Sequence, residues 1–269
     1  MLRSALAIPL CLACATAQAQ DADDWTIAVT PYVLLPGVDA ELGVSGPGGG
    51  SPAIEVGPTD FLALVNFAAM VKVEARHGRG FTFVDWMYLD LGDANSVVRQ
   101  IDFPDGSVPI GVGVVTDTDA SFDGFTVTLG GGWRFYESGP LELDAYGGLR
   151  TLNTSASFSW SFTTTISSPG GGYTFPQSGA LEHSDETWDA MTGLRGRWLL
   201  GDGWRAFGVV DHGWGHETES WQWALGTSMQ KGSISLELAW REIGWAGLGG
   251  SGTGKLRLHG PALGATFRF

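Results

Sequence analysis

The sequence predicts an all-β fold, a closed antiparallel up-and-down transmembrane β-barrel, and three observations carry that prediction. Long segments alternate apolar and polar residues with period two, the signature of a strand rather than a helix. Their polar rows hold charges of both signs while their apolar rows end in aromatics, the reverse of a soluble sandwich that turns its polar rows outward. Short turns alternate with long loops, as in barrels that cross a bacterial outer membrane.

The hairpin Phe125–Arg150 shows the pattern best. Phe125, Val127, Leu129, Trp133 and Phe135 form one row, and Thr126, Thr128, Arg134 and Tyr136 the other. After the Glu137-Ser-Gly-Pro140 turn, Leu141, Leu143, Ala145 and Leu149 alternate with Glu142, Asp144, Tyr146 and Arg150. An apolar row beside a charged row fits a wall with lipid on one side and a lumen on the other.

Composition bounds the class. The 269 residues include 41 Gly and 12 Trp, which suits crowded strand walls and aromatic girdles. The formal net charge of −14 argues against nucleic acid, whose phosphates require a basic face. Met1-Leu2-Arg3, the apolar run Ala5–Ala13 and Ala17-Gln18-Ala19 read as a secretory signal over residues 1–19, leaving the barrel as 20–269. Cys14 after Leu12-Ala13 offers a lipoprotein alternative, but Cys11 stands where such a signal wants Leu or Val. Both cysteines lie in that leader, so disulfide or thiolate chemistry is not anticipated beyond it. No later apolar run reaches the roughly 18 residues a spanning helix needs.

In chain order, the first strand covers Asp24–Leu35, with Trp25, Ile27 and Val29 outward and Thr26, Thr30 and Tyr32 inward. Residues 37–65 read as a Gly-, Pro- and Ser-rich loop, with Thr59-Asp60 capping a short helical turn through Val65. Asn66–His77 is the second strand. Phe81–Leu91 is the third, Asp85 inward and Val84, Trp86 and Tyr88 outward. Gly92–Ala120 reads as a long acidic loop, and the hairpin above supplies strands four and five. Residues 151–185 read as a further loop, in which alternating Phe158, Trp160 and Phe162 suggest a projecting ribbon. Then come Glu186–Leu199, the strand opened by Trp204, Ser220–Gln230, the strand opened by Ile234, and Lys255–Phe269, where Gly260-Pro261 predicts a bulge. The total is ten strands, or twelve if 37–57 adds a hairpin to the wall.

Leu263, Ala265, Phe267 and Phe269 alternate up to a terminal Phe. This resembles the signal by which the bacterial barrel-assembly machinery recognises its clients. With Trp25…Pro31-Tyr32…Leu35-Pro36-Gly37-Val38-Asp39 and Tyr88-Leu89-Asp90-Leu91, the chain resembles a family of uncharacterised small outer-membrane barrels, of the OmpA- and porin-like kind, that open with W…PYxxLPGVD. The resemblance implies fold and bacterial outer-membrane location, and brings no activity or catalytic residues.

The inward rows collect Lys72, Arg76, Arg134, Arg150, Arg195, Arg197, Arg205, Arg241 and Arg268 against Glu74, Asp85, Glu142, Asp144, Asp189, Asp211 and Glu237. The leading reading is a network of Arg–carboxylate pairs and water filling a small, largely closed barrel with a structural or surface-interaction role. A narrow solute channel lined by the same charges is the second. A lipid A-modifying or acyl-chain enzyme is the third, although there is no G-x-S-x-G element. Asp211 and His212, adjacent on a strand, point to opposite faces. His212 and His216 would make at most a weak metal site. Asp117, Asp119 and Asp123 lack the glutamate that completes an EF-hand loop. No cofactor is anticipated. The anticipated partners are membrane lipid, lipopolysaccharide and the assembly machinery, with the chain a monomer.

Overall fold

The computed structural model describes the backbone of residues 25–41, 53–57, 65–91, 113–168, 171–248 and 254–269, with side chains for 25–40, 57, 65–91, 123–155, 184–248 and 254–269. The strands are β1 (Thr26–Leu34), β2 (Gly37–Glu41), β3 (Ala53–Val56), β4 (Val65–His77), β5 (Gly80–Leu91) and β6 (Gly113–Ser138). They continue with β7 (Leu141–Ser168), β8 (Gly171–Gly201), β9 (Trp204–Trp214), β10 (Glu219–Lys231), β11 (Ile234–Leu248) and β12 (Gly254–Arg268). Ten of them, β1 and β4 to β12, close an antiparallel ring through the β1–β12 pairing. The signal segment and the Thr59-Asp60 turn lie outside the described residues.

Period-two alternation puts Trp25, Leu129, Trp133, Leu149, Trp188, Leu194, Trp198, Leu225 and Leu236 on the outside, where they are exposed. Water-soluble monomers rarely expose a continuous apolar surface of this kind, which marks contact with lipid. Trp188 and Trp198 face outward ten residues apart on β8. That separation is about 33 Å of strand, or about 25 Å of height at a tilt near 40°, the thickness of an outer-membrane apolar band. One aromatic girdle runs through Trp86, Trp188, Trp214, Trp223 and Trp240, the other through Trp25, Trp133, Trp198 and Trp204.

The second girdle lies at the end of the four tight turns and of both described termini, where Ile27 and Phe269 exchange backbone hydrogen bonds of 3.1 and 2.9 Å. Short turns mark the periplasmic end. One of them, Gly201-Asp202-Gly203, runs at φ of 96°, 51° and 82°. Gly203 there packs so closely on the Gln230 carbonyl that a Cβ would collide with it.

The extracellular end differs from the sequence expectation in three places. Within the segment 37–65 read as loop, β2 and β3 form a hairpin, with Val38 opposite Val56. It extends the wall above the ring and does not raise the ring to twelve strands. β2 carries β1 onward along β12 without a change of register, since Ala28 faces Arg268 and Glu41 faces Lys255. Gly260-Pro261 therefore makes no bulge. Leu35-Pro36 sits directly against it, Leu35 N–H donating to the Pro261 carbonyl at 2.9 Å. The two prolines remove donors from the ladder without shifting it. The irregularity of the β11–β12 pairing lies instead between Ala246 and Leu248.

The third difference is the largest. Much of the stretches read as loops at 92–120 and 151–185 belongs to β6, β7 and β8, which run 26, 28 and 31 residues. β7 pairs with β8 without interruption from Leu141–Trp198 to Ser168–Gly171. The alternating Ser, Thr and aromatic residues of 154–166 satisfy strand periodicity as well as any membrane segment does. The stretch 171–186, roughly 50 Å of extended chain, stands beyond the girdle.

Candidate functional site

The lumen has two layers, and β5 shows why. Its inward row reads Phe81, Phe83, Asp85, Met87, Leu89 and Leu91 from the periplasmic end, charged neighbours giving way to hydrocarbon. At the extracellular level Leu34, Met70, Met87, Leu89, Leu152, Ile243, Trp245 and Leu258 pack into one buried cluster, with Leu34, Ile243 and Trp245 at 0% exposure. This plug departs from the uniformly charged lumen that the inward rows predict. Its signal was visible as inward-parity Met87, Leu89, Ile243 and Trp245.

Below the plug the charged side chains join into clusters. Asp144, 1% exposed, is the hub of the periplasmic one. Its Oδ2 accepts from Arg76, Arg195 and Arg197 at 3.0, 2.9 and 3.0 Å, and its Oδ1 accepts from Arg134 Nε at 3.2 Å. Glu74 accepts a 2.6 Å bond from Arg195 and pairs with Arg76 at 3.3 Å. Glu142 pairs with Arg134 at 2.8 Å. The guanidiniums of Arg76 and Arg195 lie 4.7 and 4.4 Å from the Phe81 ring centroid, a cation–π arrangement.

Two further clusters stand at mid-height. Tyr32 Oη donates to Asp85 at 2.6 Å and accepts from Arg241 at 2.7 Å, while Arg241 also donates to the second Asp85 oxygen at 2.9 Å. Arg150 and Tyr146 each donate to Asp211 at 2.8 Å. Gly193 makes room for that group, since a Cβ there would lie 2.6 Å from the Tyr146 ring and from Asp211 Cβ.

Near the seam Thr266 Oγ1 donates to Glu237 at 2.7 Å, so Thr30, 2.8 Å away, donates to Thr266. Arg268 donates to Ser235 at 2.7 Å. Arg205 faces inward at the same end, and no ion pair joins it to another described residue. Lys72 faces Phe83 at 5.3 Å from the ring centroid. Asp189 stands apart in the extracellular layer, 0% exposed, with one oxygen accepting from Thr218 at 2.6 Å.

The barrel encloses a cavity of about 130 Å³ between the clusters, lined by Lys72, Asp85, Arg150, Arg195, Asp211, Glu237 and Arg241 with Phe83, Tyr146 and Phe207.

Among the described residues the histidines make no catalytic set. Asp211 points into the lumen, whereas His212 lies edge-on to Trp214 with ring centroids 4.7 Å apart. His259 Nδ1 lies 3.7 Å from Asp39 on the outer face. Arg257 also pairs with Asp39 there. This switch from Leu263 and Pro261 to His259, Arg257 and Lys255 marks the upper edge of the lipid band on β12. Among the described residues no group of three His, Cys, Asp or Glu is placed to hold a metal ion. Asp123 is exposed on the outer face, and the side chains of Asp117 and Asp119 lie outside the described ones.

The closed ring, the outward band and the two girdles can be set beside known structures. The outer-membrane protease OmpT of Escherichia coli is 13% identical over 94% of this chain and 99% of its own, with a TM-score of 0.51. The fold is that of a bacterial outer-membrane barrel. Lower-scoring likenesses include Ail of Yersinia pestis, 14% identical over 91% of this chain and 98% of its own, TM-score 0.36. An outer-membrane channel from Pseudomonas putida F1 is 11% identical over 94% and 100%, TM-score 0.37. No family model matches the chain, and no curated protein does. The lipid-facing band and the shared fold place the protein in the outer membrane.

Proposed function

We propose that this is a non-conducting outer-membrane barrel that works at the cell surface, with the β6–β7–β8 ribbon as its contact region. The observation that carries the reading is the closure of the lumen at its extracellular level. Hydrocarbon fills that layer, and below it an arginine–carboxylate network narrows the periplasmic one. A conducting pore needs a continuous aqueous path, and the hydrocarbon layer interrupts it. Strands of 26 to 31 residues far exceed the 9–11 residues a crossing requires, so the surplus serves something outside the bilayer.

The lipid-facing rows pack against membrane lipid, and the polar residues above the girdle, Asp90, Asp123 and Glu186 among them, stand at the level of lipopolysaccharide. Phe267 and Phe269 serve recognition by the assembly machinery. The W…PYxxLPGVD resemblance gains a physical reading. Trp25 joins the girdle, Tyr32 bridges Asp85 and Arg241, and Leu35-Pro36 carries the first strand past Gly260-Pro261.

Planar-bilayer recording of the refolded protein tests the closure, with no unitary steps as the expected outcome. Regular steps would move the assignment to a channel. In cells, replacing 156–183 by a two-residue turn should reproduce whatever phenotype full deletion produces. A trimmed barrel that restores every such phenotype would locate the function in the wall.

A further inference from the structure

We infer that the mid-barrel cavity binds a small oxyanion, of the phosphate or short-carboxylate class, reaching it from the periplasmic end. Its lining holds more hydrogen-bond donors than acceptors. Lys72 carries three N–H groups and, among the described residues, makes no direct ion pair or side-chain hydrogen bond. It lies over the face of Phe83 at 5.3 Å and feels the charges of Arg195, Glu74, Asp85 and Glu237. Arg150 Nη1 and Arg241 Nε, from two other cavity-lining residues, are buried without an acceptor. Most of the acceptors are already engaged. Both oxygens of Asp85 accept from Tyr32 and Arg241, and both of Asp211 from Tyr146 and Arg150. Glu237 Oε1 accepts from Thr266, which leaves Oε2 as the open acceptor and the competitor of a bound anion.

A half-buried ammonium and two buried guanidinium N–H groups short of acceptors are unfavourable, so the space favours a species rich in lone pairs. Water brings donors along with acceptors and leaves the charge excess in place. The inward rows contain nine cations and seven anions, and one of the anions, Asp189, lies in the other layer. An oxyanion answers both the donor surplus and the charge. The cavity of about 130 Å³ is ample, because one water needs about 10–15 Å³ measured the same way.

Direction of entry follows from packing and field. The hydrocarbon plug closes the extracellular side, whereas Arg134, Arg197, Arg205 and Arg268 surround the periplasmic mouth. The chain as a whole carries −14, so its cationic interior is the part that draws anions in.

The test titrates inorganic phosphate, and separately acetate, into the refolded full chain in dodecyl maltoside, a detergent without phosphate. Calorimetry and phosphorus-31 line widths report binding. At least one anion is expected to saturate at one site per chain. Lys72→Met should weaken it at least tenfold, Glu237→Gln should tighten it several-fold, and Lys255→Met, on the outer face, should leave it unchanged. Each variant is first shown to be folded by its unboiled mobility on a detergent gel. If Lys72→Met does not assemble, Glu237→Gln decides, and unchanged affinity there overturns the site. Absence of saturable binding for both anions overturns it, as does a Lys72→Met protein that binds like the parent or a loss on Lys255→Met.

Discussion

Asp144 shows how one residue governs the lumen at the smallest scale. Four guanidiniums converge on a carboxylate that is 1% exposed. Such a charge is favourable only while every partner is present, because removing one member of a buried set leaves the others uncompensated. Asp144→Asn should lower unfolding stability by about 3–5 kcal/mol, read from urea titration in detergent. Glu142→Gln should cost less, since Glu142 is 20% exposed and water can replace part of what it supplies. Equal losses would show that the hub is not where the energy lies. Tyr146 and Gly193 illustrate the same economy of space, the missing side chain of one admitting the ring of the other.

At the scale of a strand, the decisive property is which row meets lipid. On β7 Leu143 is outward and Glu142 inward, one residue apart, so the two faces of a single element are tested side by side. Leu143→Arg places a cation on the lipid face at the height of the periplasmic girdle, where the cost is about 1 kcal/mol rather than the larger value of the midplane. It should still reduce the fraction that assembles into vesicles more than Glu142→Gln does, scored by heat-modifiable gel mobility. The opposite order would mean the faces are exchanged. β5 adds that one inward row can change chemistry along its length, from Asp85 to Met87, Leu89 and Leu91. From Met87 onward the inward row of β5 has left the charged layer and entered the plug.

The whole molecule is then a wall around two stacked fillings. Opening it requires removing hydrocarbon, not charge. Trp245 and Ile243, both 0% exposed, are the bulkiest obstruction on β11. Truncating buried Trp and Ile costs about 3–5 and 2–5 kcal/mol in soluble cores, so the variant's assembly is first checked by its unboiled gel mobility. The double variant Ile243→Ala/Trp245→Ala should gain unitary conductance that the parent lacks. A variant that folds and stays silent would show that the arginine network alone seals the lumen. The ribbon belongs to this scale too, because β6, β7 and β8 leave the bilayer together and remain paired.

Primary structure carried the faces of the wall. Each strand residue has two directions available, and lipid on one side forces the choice by transfer energy, so Leu129, Leu194 and Leu236 announce their direction locally. The tight turns and the alternation of short and long connections were equally local. What the tertiary structure decided was partnership. Arg241 reaches Asp85 across 156 positions of sequence and Arg195 reaches Glu74 across 121, distances no pattern along the chain encodes. The plug was undetermined for a related reason: an inward Leu or Trp finds hydrocarbon only if closure of the ring sets other apolar residues at the same height. The ends of β6 to β8 escaped notice because Ser- and Thr-rich chain reads as loop until a neighbouring strand supplies the hydrogen bonds that hold it straight.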